Sequence, residues 1–190
     1  IVNTCQPNLA HKALAHLTLL NGEARIATQN VDGLHLLALE EASQIADIDP
    51  PLKARPLELH GSLFRVRCNN CHVKTNHRGP IDTTSTRALP HCRECGTLLR
   101  PDIVWFGEVP MHMDDIIMAL AQADVFIAVG TSGQVYPAAN FVAMAADSGA
   151  RTIEINLEPS QQNSLFEEKI VGQAGKTLPE FVARFIQDYC

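Results

Sequence analysis

The chain has 190 residues, 46% of them apolar, with 15 Lys and Arg against 21 Asp and Glu for a formal net charge of −6. That is enough apolar material for one domain, or for one domain with a small inserted module. The acidic balance excludes the clustered basic footprint that binds phosphate backbones, and the longest apolar stretch, around Val125 to Val129, is far short of the roughly 20 residues of a membrane-spanning helix. Neither nucleic acid nor a membrane is therefore an expected partner.

The sequence begins on Ile1 rather than Met and reads as a fragment or a processed chain. Leu9, Ala13, Leu14, Leu17 and Leu20 recur at helical spacing, and Asn21-Gly22 suits the end of that helix. "ARIATQN" follows as a short buried strand, a helical pattern runs from about Leu34 to Ile45, and the prolines of "DIDPPLKARP" force a loop. From Cys68 to Cys95 the composition is polar and irregular, as in a module without its own apolar core. "RPDIVWFGE" is the next strand and Met113 to Ala123 the next helix. "DVFIAVGTSG" has the unbroken apolar run of a strand buried on both faces of a parallel sheet. Pro137 to Ser148 is a helix, "ARTIEINLEP" a strand, and Leu178 to Tyr189 a helix with Phe181, Val182, Phe185, Ile186 and Tyr189 on one face. The alternation predicts a doubly wound α/β, Rossmann-like fold. Its domain would comprise residues 1–64 and 101–190, with a metal module inserted over 65–100.

The cysteines identify the metal. Cys68-x-x-Cys71, twenty residues, then Cys92-x-x-Cys95 is the spacing of a four-cysteine zinc site. Four thiolates close the tetrahedron, whereas a catalytic zinc keeps a position open, so the zinc is structural. Thiolate ligation also points to a reducing, intracellular setting, without distinguishing cytoplasm, mitochondrion or nucleus. His60 is then a fifth donor for a full shell and needs another explanation. His72, His77 and His91 are surplus loop histidines, and Cys5 and Cys190 are unpaired bystanders.

Doubly wound sheets bind ligands beyond the carboxyl ends of their strands. Three such endings carry suitable groups: "TQNVDG" offers Gln29, Asn30 and Asp32; "GTSG" offers hydroxyls beside permissive glycines; "NLE" offers Asn156 and Glu158 for a ribose hydroxyl. Together they fit a nucleotide with two riboses. "GTSGQ" is not a hydrolase elbow, because Gln134 stands where that motif needs its last glycine, and Ser132 is not read as a nucleophile.

"TQNVDGLH", "LHGSLF", the two cysteine pairs, "RPDIVWFGE", "GTSGQVYPAA" and "INLEPS" resemble, in order and over nearly the whole chain, the sirtuin family of NAD-dependent protein lysine deacylases. The wording is most similar to class III, the bacterial CobB-like group, which includes desuccinylases and demalonylases besides deacetylases. The resemblance implies a Rossmann domain and a zinc module with NAD and an acyl-lysine peptide meeting in the cleft between them. Lysine would be freed with release of nicotinamide and O-acyl-ADP-ribose. It implies His60 as general base, a task suited to imidazole because its ordinary pKa lies near neutrality. Asn30 and Asp32 would share in catalysis. Gln29 and Asn30 would meet the nicotinamide ribose, with Val31 beside them and Asp32 on the carboxamide. Gly130, Thr131 and Ser132 would lie along the cofactor, Asn156, Leu157 and Glu158 would hold the adenosine ribose, and Ala174 would lie near adenine. The substrate peptide would add as a strand between "VWFGE" and "GQVYP", against Val104, Phe106, Gly107, Glu108 and Val135. The family's Gly-Ala-Gly-x-Ser segment, which carries the first strand and the cofactor loop, belongs before Ile1 and is expected to be missing, and the stretch from His35 to His60 is longer than usual, as in a surface insertion. The alternative reading is a catalytically inactive, zinc-containing interaction module.

Overall fold

The structure, a computed structural model, describes residues 4–189, apart from the Tyr189 side chain; the expectations for Cys190 and for Tyr189 on the last helix face lie outside the described residues. In chain order the elements are α1 (Leu9–Leu20), β1 (Ala27–Thr28), α2 (Leu34–Ala46), β2 (Leu57–Glu58), β3 (Gly61–Cys68), β4 (Lys74–Asn76), β5 (Leu99–Ile103), α3 (Met113–Leu120), β6 (Val125–Val129), α4 (Phe141–Asp147), β7 (Arg151–Asn156), β8 (Glu168–Val171) and α5 (Ala174–Tyr189). They belong to two compact units. One comprises Thr28–Gly33 and Glu58–Met111 with Thr4 and Cys5; the other comprises Gln6–Ala27, Leu34–Leu57 and the described residues from His112 onward.

The larger unit is α/β. Its parallel sheet has the order β6-β7-β8, with Val125 to Val129 in register with Arg151 to Ile155. β7 is the central strand and Ile153 and Ile155 are fully buried in it, packed with Ala10 and Leu17 of α1 and Leu178, Phe181 and Val182 of α5. Alternation of side chains along a strand turns Thr152 and Glu154 to the opposite face, and α4 packs against β6 and β7. A second cluster joins Ala15 of α1 to Ala38 and Leu39 of α2 and to Ala54. Asn8 caps α1, accepting from the amides of Ala10 and His11 while the His11 ring answers to the Asn8 amide.

The smaller unit is an antiparallel sheet of order β4-β3-β5, with a register shift in β3 between Ser62 and Val66. Its two knuckles, described below, extend from the ends of these strands.

Several expectations shift in detail. The apolar run of "DVFIAVGTSG" is β6, half-buried along its length and paired among the described residues with β7, and the fully buried place belongs to β7, which hydrogen-bonds on both sides. "ARIATQN" shortens to the two residues of β1, of which Ala27 is exposed. Pro137 to Ser148 divides into a 3₁₀ turn over Ala138–Asn140 followed by α4. "RPDIVWFGE" leaves the ladder at Ile103 because Glu108 folds back onto Arg100. β8 carried only a four-residue alternation, too short to separate from a loop by pattern alone.

Candidate functional site

The four cysteines converge as their spacing requires. Their sulfurs all lie within 4.8 Å of one another, with Cys68 to Cys95 at 3.4 Å, Cys71 to Cys92 at 3.5 Å and Cys71 to Cys95 at 3.7 Å. Zinc–sulfur bonds of about 2.3 Å at tetrahedral angles put sulfurs about 3.8 Å apart, so the set fits zinc with little adjustment. The two halves are built alike. Cys68 N donates to Val73 O and His72 N to Cys68 O; Cys92 N donates to Thr97 O and Gly96 N to Cys92 O. Each knuckle closes on a left-handed residue, His72 at φ 60° and Gly96 at φ 73°. His72 is therefore a turn residue, as a surplus histidine should be. Hydrogen bonds from the Thr97 hydroxyl and amide lower the Cys95 thiol to about 5. At Cys71 the Val73 amide favours the thiolate, but hydrogen bonds with Cys92, burial, and hydrogen bonds with Cys68 and Cys95 outweigh it and push that thiol up to about 12. Four sulfurs this close share protons until a cation replaces them.

His60 lies between β2 and β3, eight residues before the first of these cysteines. Its neighbours are fixed by backbone pairing: Leu59 N donates to Thr28 O, Val104 N to His60 O, Met111 N to Leu59 O and Leu63 N to Val31 O. The next residue, Gly61, has φ +78°, and a Cβ there would stand 2.0 Å from Asp102 O. Only glycine permits that approach. His60 Nδ1 is 3.0 Å from Gln29 O. A carbonyl only accepts, so Nδ1 carries the proton and the neutral ring keeps its lone pair on Nε2. Gln29, Asn30, Val31 and Asp32 thus belong to the same unit as His60, and the Thr28 hydroxyl accepts from Asn30 N at 3.1 Å to turn that loop.

The loop after β5 is held by charge. Glu108 accepts from Arg100 at 2.5 and 3.1 Å, from Arg67 at 3.3 Å and from Trp105 N at 3.0 Å. Arg100, the amide of Trp105 and the two guanidinium charges lower the Glu108 carboxyl to about 2. The Arg100 guanidinium also lies 4.3 Å over the Trp105 ring. These ties leave Phe106 fully and Val109 largely in solvent, while Val104 is half-buried. Glu108 is thus an internal clasp of the loop, and Gly107, at φ 88°, makes its turn.

In the larger unit the ends of β6 and β7 are laced together. Gly130 N donates to Ile155 O, Asn156 Nδ2 to Thr131 O at 2.7 Å, Gln161 N to Ser132 O and Gln162 Nε2 to Gly133 O at 3.3 Å. A Cβ on Gly133 would come within 3.2 Å of Gln162. Beneath these loops Glu154, 3% exposed, accepts from Ser160 N at 3.0 Å and Asn163 Nδ2 at 2.6 Å. Burial raises its carboxyl, but the bonds from Ser160 and Asn163 outweigh this and hold it below the usual range. Leu157, Glu158 and Val135 are exposed, and Ala174 opens α5. The sequence reading missed Glu154, Asn163, Arg67 and Arg100. Only Glu154 carried a signal, as an acidic residue inside an otherwise apolar strand.

The Sir2 family model matches residues 1–137. The NAD-dependent protein deacylase of Yersinia pseudotuberculosis is 45% identical over 181 residues, 95% of this chain and 59% of that protein. Its namesake from Salmonella typhimurium is 44% identical over 183 residues, covering 96% and 61%. Among solved structures, a Sir2 homolog–NAD complex superposes with TM-score 0.84 at 33% identity, covering 98% of this chain and 68% of that one. A Sir2 bound to acetylated peptide gives 0.78 at 27% identity, covering 98% and 72%. The chain belongs to the Sir2 family. It spans about three fifths of the length of the curated relatives it matches. No helix among the described residues is long and apolar enough to cross a membrane.

Proposed function

We propose that this protein removes acyl groups from protein lysines at the expense of NAD, giving free lysine, nicotinamide and O-acyl-ADP-ribose. The observation that carries the reading is the His60 ring, oriented by Gln29 O so that Nε2 holds the lone pair. NAD would supply the ribose that accepts the acyl group. The acyl oxygen would take the place of nicotinamide at the ribose carbon. His60 Nε2 would take the proton of a neighbouring ribose hydroxyl as that hydroxyl bonds to the acyl carbon; a positioned base is worth about 10²–10⁴ in rate for such a step. Water would then release the lysine amine and leave the acyl group on the ribose. Gln29, Asn30, Val31 and Asp32 would orient the nicotinamide end. Gly130, Thr131 and Ser132 would line the cofactor, Asn156, Leu157 and Glu158 would hold the adenosine ribose, and Ala174 would lie near adenine. These assignments rest on the family membership and on the loop ends that bear the residues. By function they would make residues 1–64 and 101–190 the nucleotide-binding domain and 65–100 the zinc module, although residues 28–33, 58–64 and 101–111 pack within the smaller unit. Acyl-lysine peptides would add along Val104, Phe106, Gly107 and Val135, with Glu108 holding the loop. The zinc is structural and takes no part in the chemistry, and its thiolates fit a reducing intracellular compartment.

Incubation with acetyl- or succinyl-lysine peptides and NAD, read by mass spectrometry, tests the reading. Release of nicotinamide with O-acyl-ADP-ribose is expected, and His60→Ala should slow it at least about a hundredfold. Turnover unchanged in His60→Ala would overturn the base assignment; no binding of NAD and no turnover would leave the inactive zinc module.

A further inference from the structure

Glu154 stands where a parallel sheet ordinarily has an aliphatic residue: on the central strand β7, between Ile153 and Ile155, and 3% exposed. Burying a carboxylate is costly unless hydrogen bonds replace its water. Here both oxygens are engaged from one segment, Oε1 by the amide of Ser160 and Oε2 by Nδ2 of Asn163. That segment carries Gln161 and Gln162, which bond to the carbonyls of Ser132 and Gly133. The segment's other end is Asn156, whose side chain reaches Thr131 O. A single buried carboxylate thus fixes a strap from 156 to 163, and the strap fixes the 130–133 turn.

A role in packing alone does not explain this arrangement, since an aliphatic side chain would fill the same space without desolvating a charge. The amides and side chains that Glu154 orders lie at the ends of two parallel strands, where nucleotide ligands bind in doubly wound sheets. We propose that Glu154 is a positioning residue for nucleotide binding: it acts through Ser160 and Asn163 to pre-form both the 156–158 and the 130–132 loops that would receive the ADP-ribose moiety. It touches no ligand itself. The inference rests on the nucleotide-binding reading above and adds to it the residue that sets cofactor affinity separately from peptide affinity.

Calorimetric binding of ADP-ribose, with KM for NAD and for acyl-lysine peptide, tests it. Glu154→Gln keeps the shape but removes the charge. Its oxygen can still accept from Ser160 N, while its amide can meet Asn163 only if that side chain turns its Oδ1 inward, so two charge-assisted ties become weaker neutral ones and the strap must readjust. This variant should weaken ADP-ribose binding and raise the NAD KM about tenfold or more while the peptide KM stays within twofold. Asn163→Ala, which removes one tie without altering the buried strand, should act in the same direction by a smaller factor. Combining Glu154→Gln with Asn163→Asp reverses donor and acceptor and should recover most of the lost affinity. Hydrogen exchange at Ser160 and Gln161 should quicken in the single variants and slow again in the pair. ADP-ribose binding unchanged in Glu154→Gln, or NAD and peptide KM rising together, would overturn the proposal while leaving the proposed function in place. Failure of the unaltered protein to bind ADP-ribose would overturn the nucleotide reading itself, and this inference with it.

Discussion

The two units reach order by opposite means. The larger buries Ile153, Ile155, Leu178, Phe181 and Val182 in one apolar cluster, and among the described residues Glu154, held by hydrogen bonds rather than by an ion pair, is its one buried charged group. The smaller buries charge: Asp102 is fully enclosed and Glu58 nearly so, and Arg65 joins them at 3.1 and 2.6 Å while Lys74 reaches Asp102 at 3.2 Å. A unit of this size, drawn out around four cysteines, cannot gather enough apolar surface to fold on burial alone. Metal and ion pairs do there what aliphatic packing does in the other unit.

Removing the metal should separate them most sharply. Structural zinc contributes on the order of 10 kcal/mol to small thiolate sites. A strong chelator, or Cys92→Ser, should therefore abolish protection from hydrogen exchange in β3 and β5 and leave that of β7 and α5 intact. Equal loss in both would break the contrast. Leu178→Ala should cost about 3–4 kcal/mol in chemical denaturation, as a fully buried leucine truncated inside a packed cluster. Arg65→Met should cost about 3 kcal/mol by stranding two buried carboxylates, although Lys74 keeps one of them partly compensated. The smallest effect belongs to Glu108. Its carboxyl is lowered in the folded state to about 2 from an ordinary 4.5. The stability it contributes is whole above pH 4.5 and fades as pH falls toward 2. The melting-temperature difference between the protein and Glu108→Gln should shrink across that window and be constant above it.

Much of this was legible in the sequence because the signals were local. Paired cysteines at fixed spacing, glycines after apolar runs and helical periodicity each report on a few neighbouring residues, and α1, α2, α3 and β7 lie close to where those signals put them. What escaped depends on partners far along the chain. The ion pairs of Glu108 with Arg67 and Arg100 left no mark in the sequence, and β6 reads as a strand buried on both faces until its half-buried side chains are seen. Glu154 was visible only as an oddity among aliphatics. Its partners Ser160 and Asn163 lie beyond a proline-containing turn, and no periodicity announces their return.

The tautomer of His60 is held by the main-chain oxygen of Gln29 rather than by an acidic side chain. An orienting carboxylate can be lost by a single codon change, but a peptide carbonyl is present whatever residue occupies position 29. Substitution at Gln29 can therefore change the side chain presented there without releasing the imidazole, and a shift of the loop carries Asn30 and the ring's anchor together. Ring and loop form one heritable unit, in which the orientation of the imidazole is insulated from drift in the side chain at position 29.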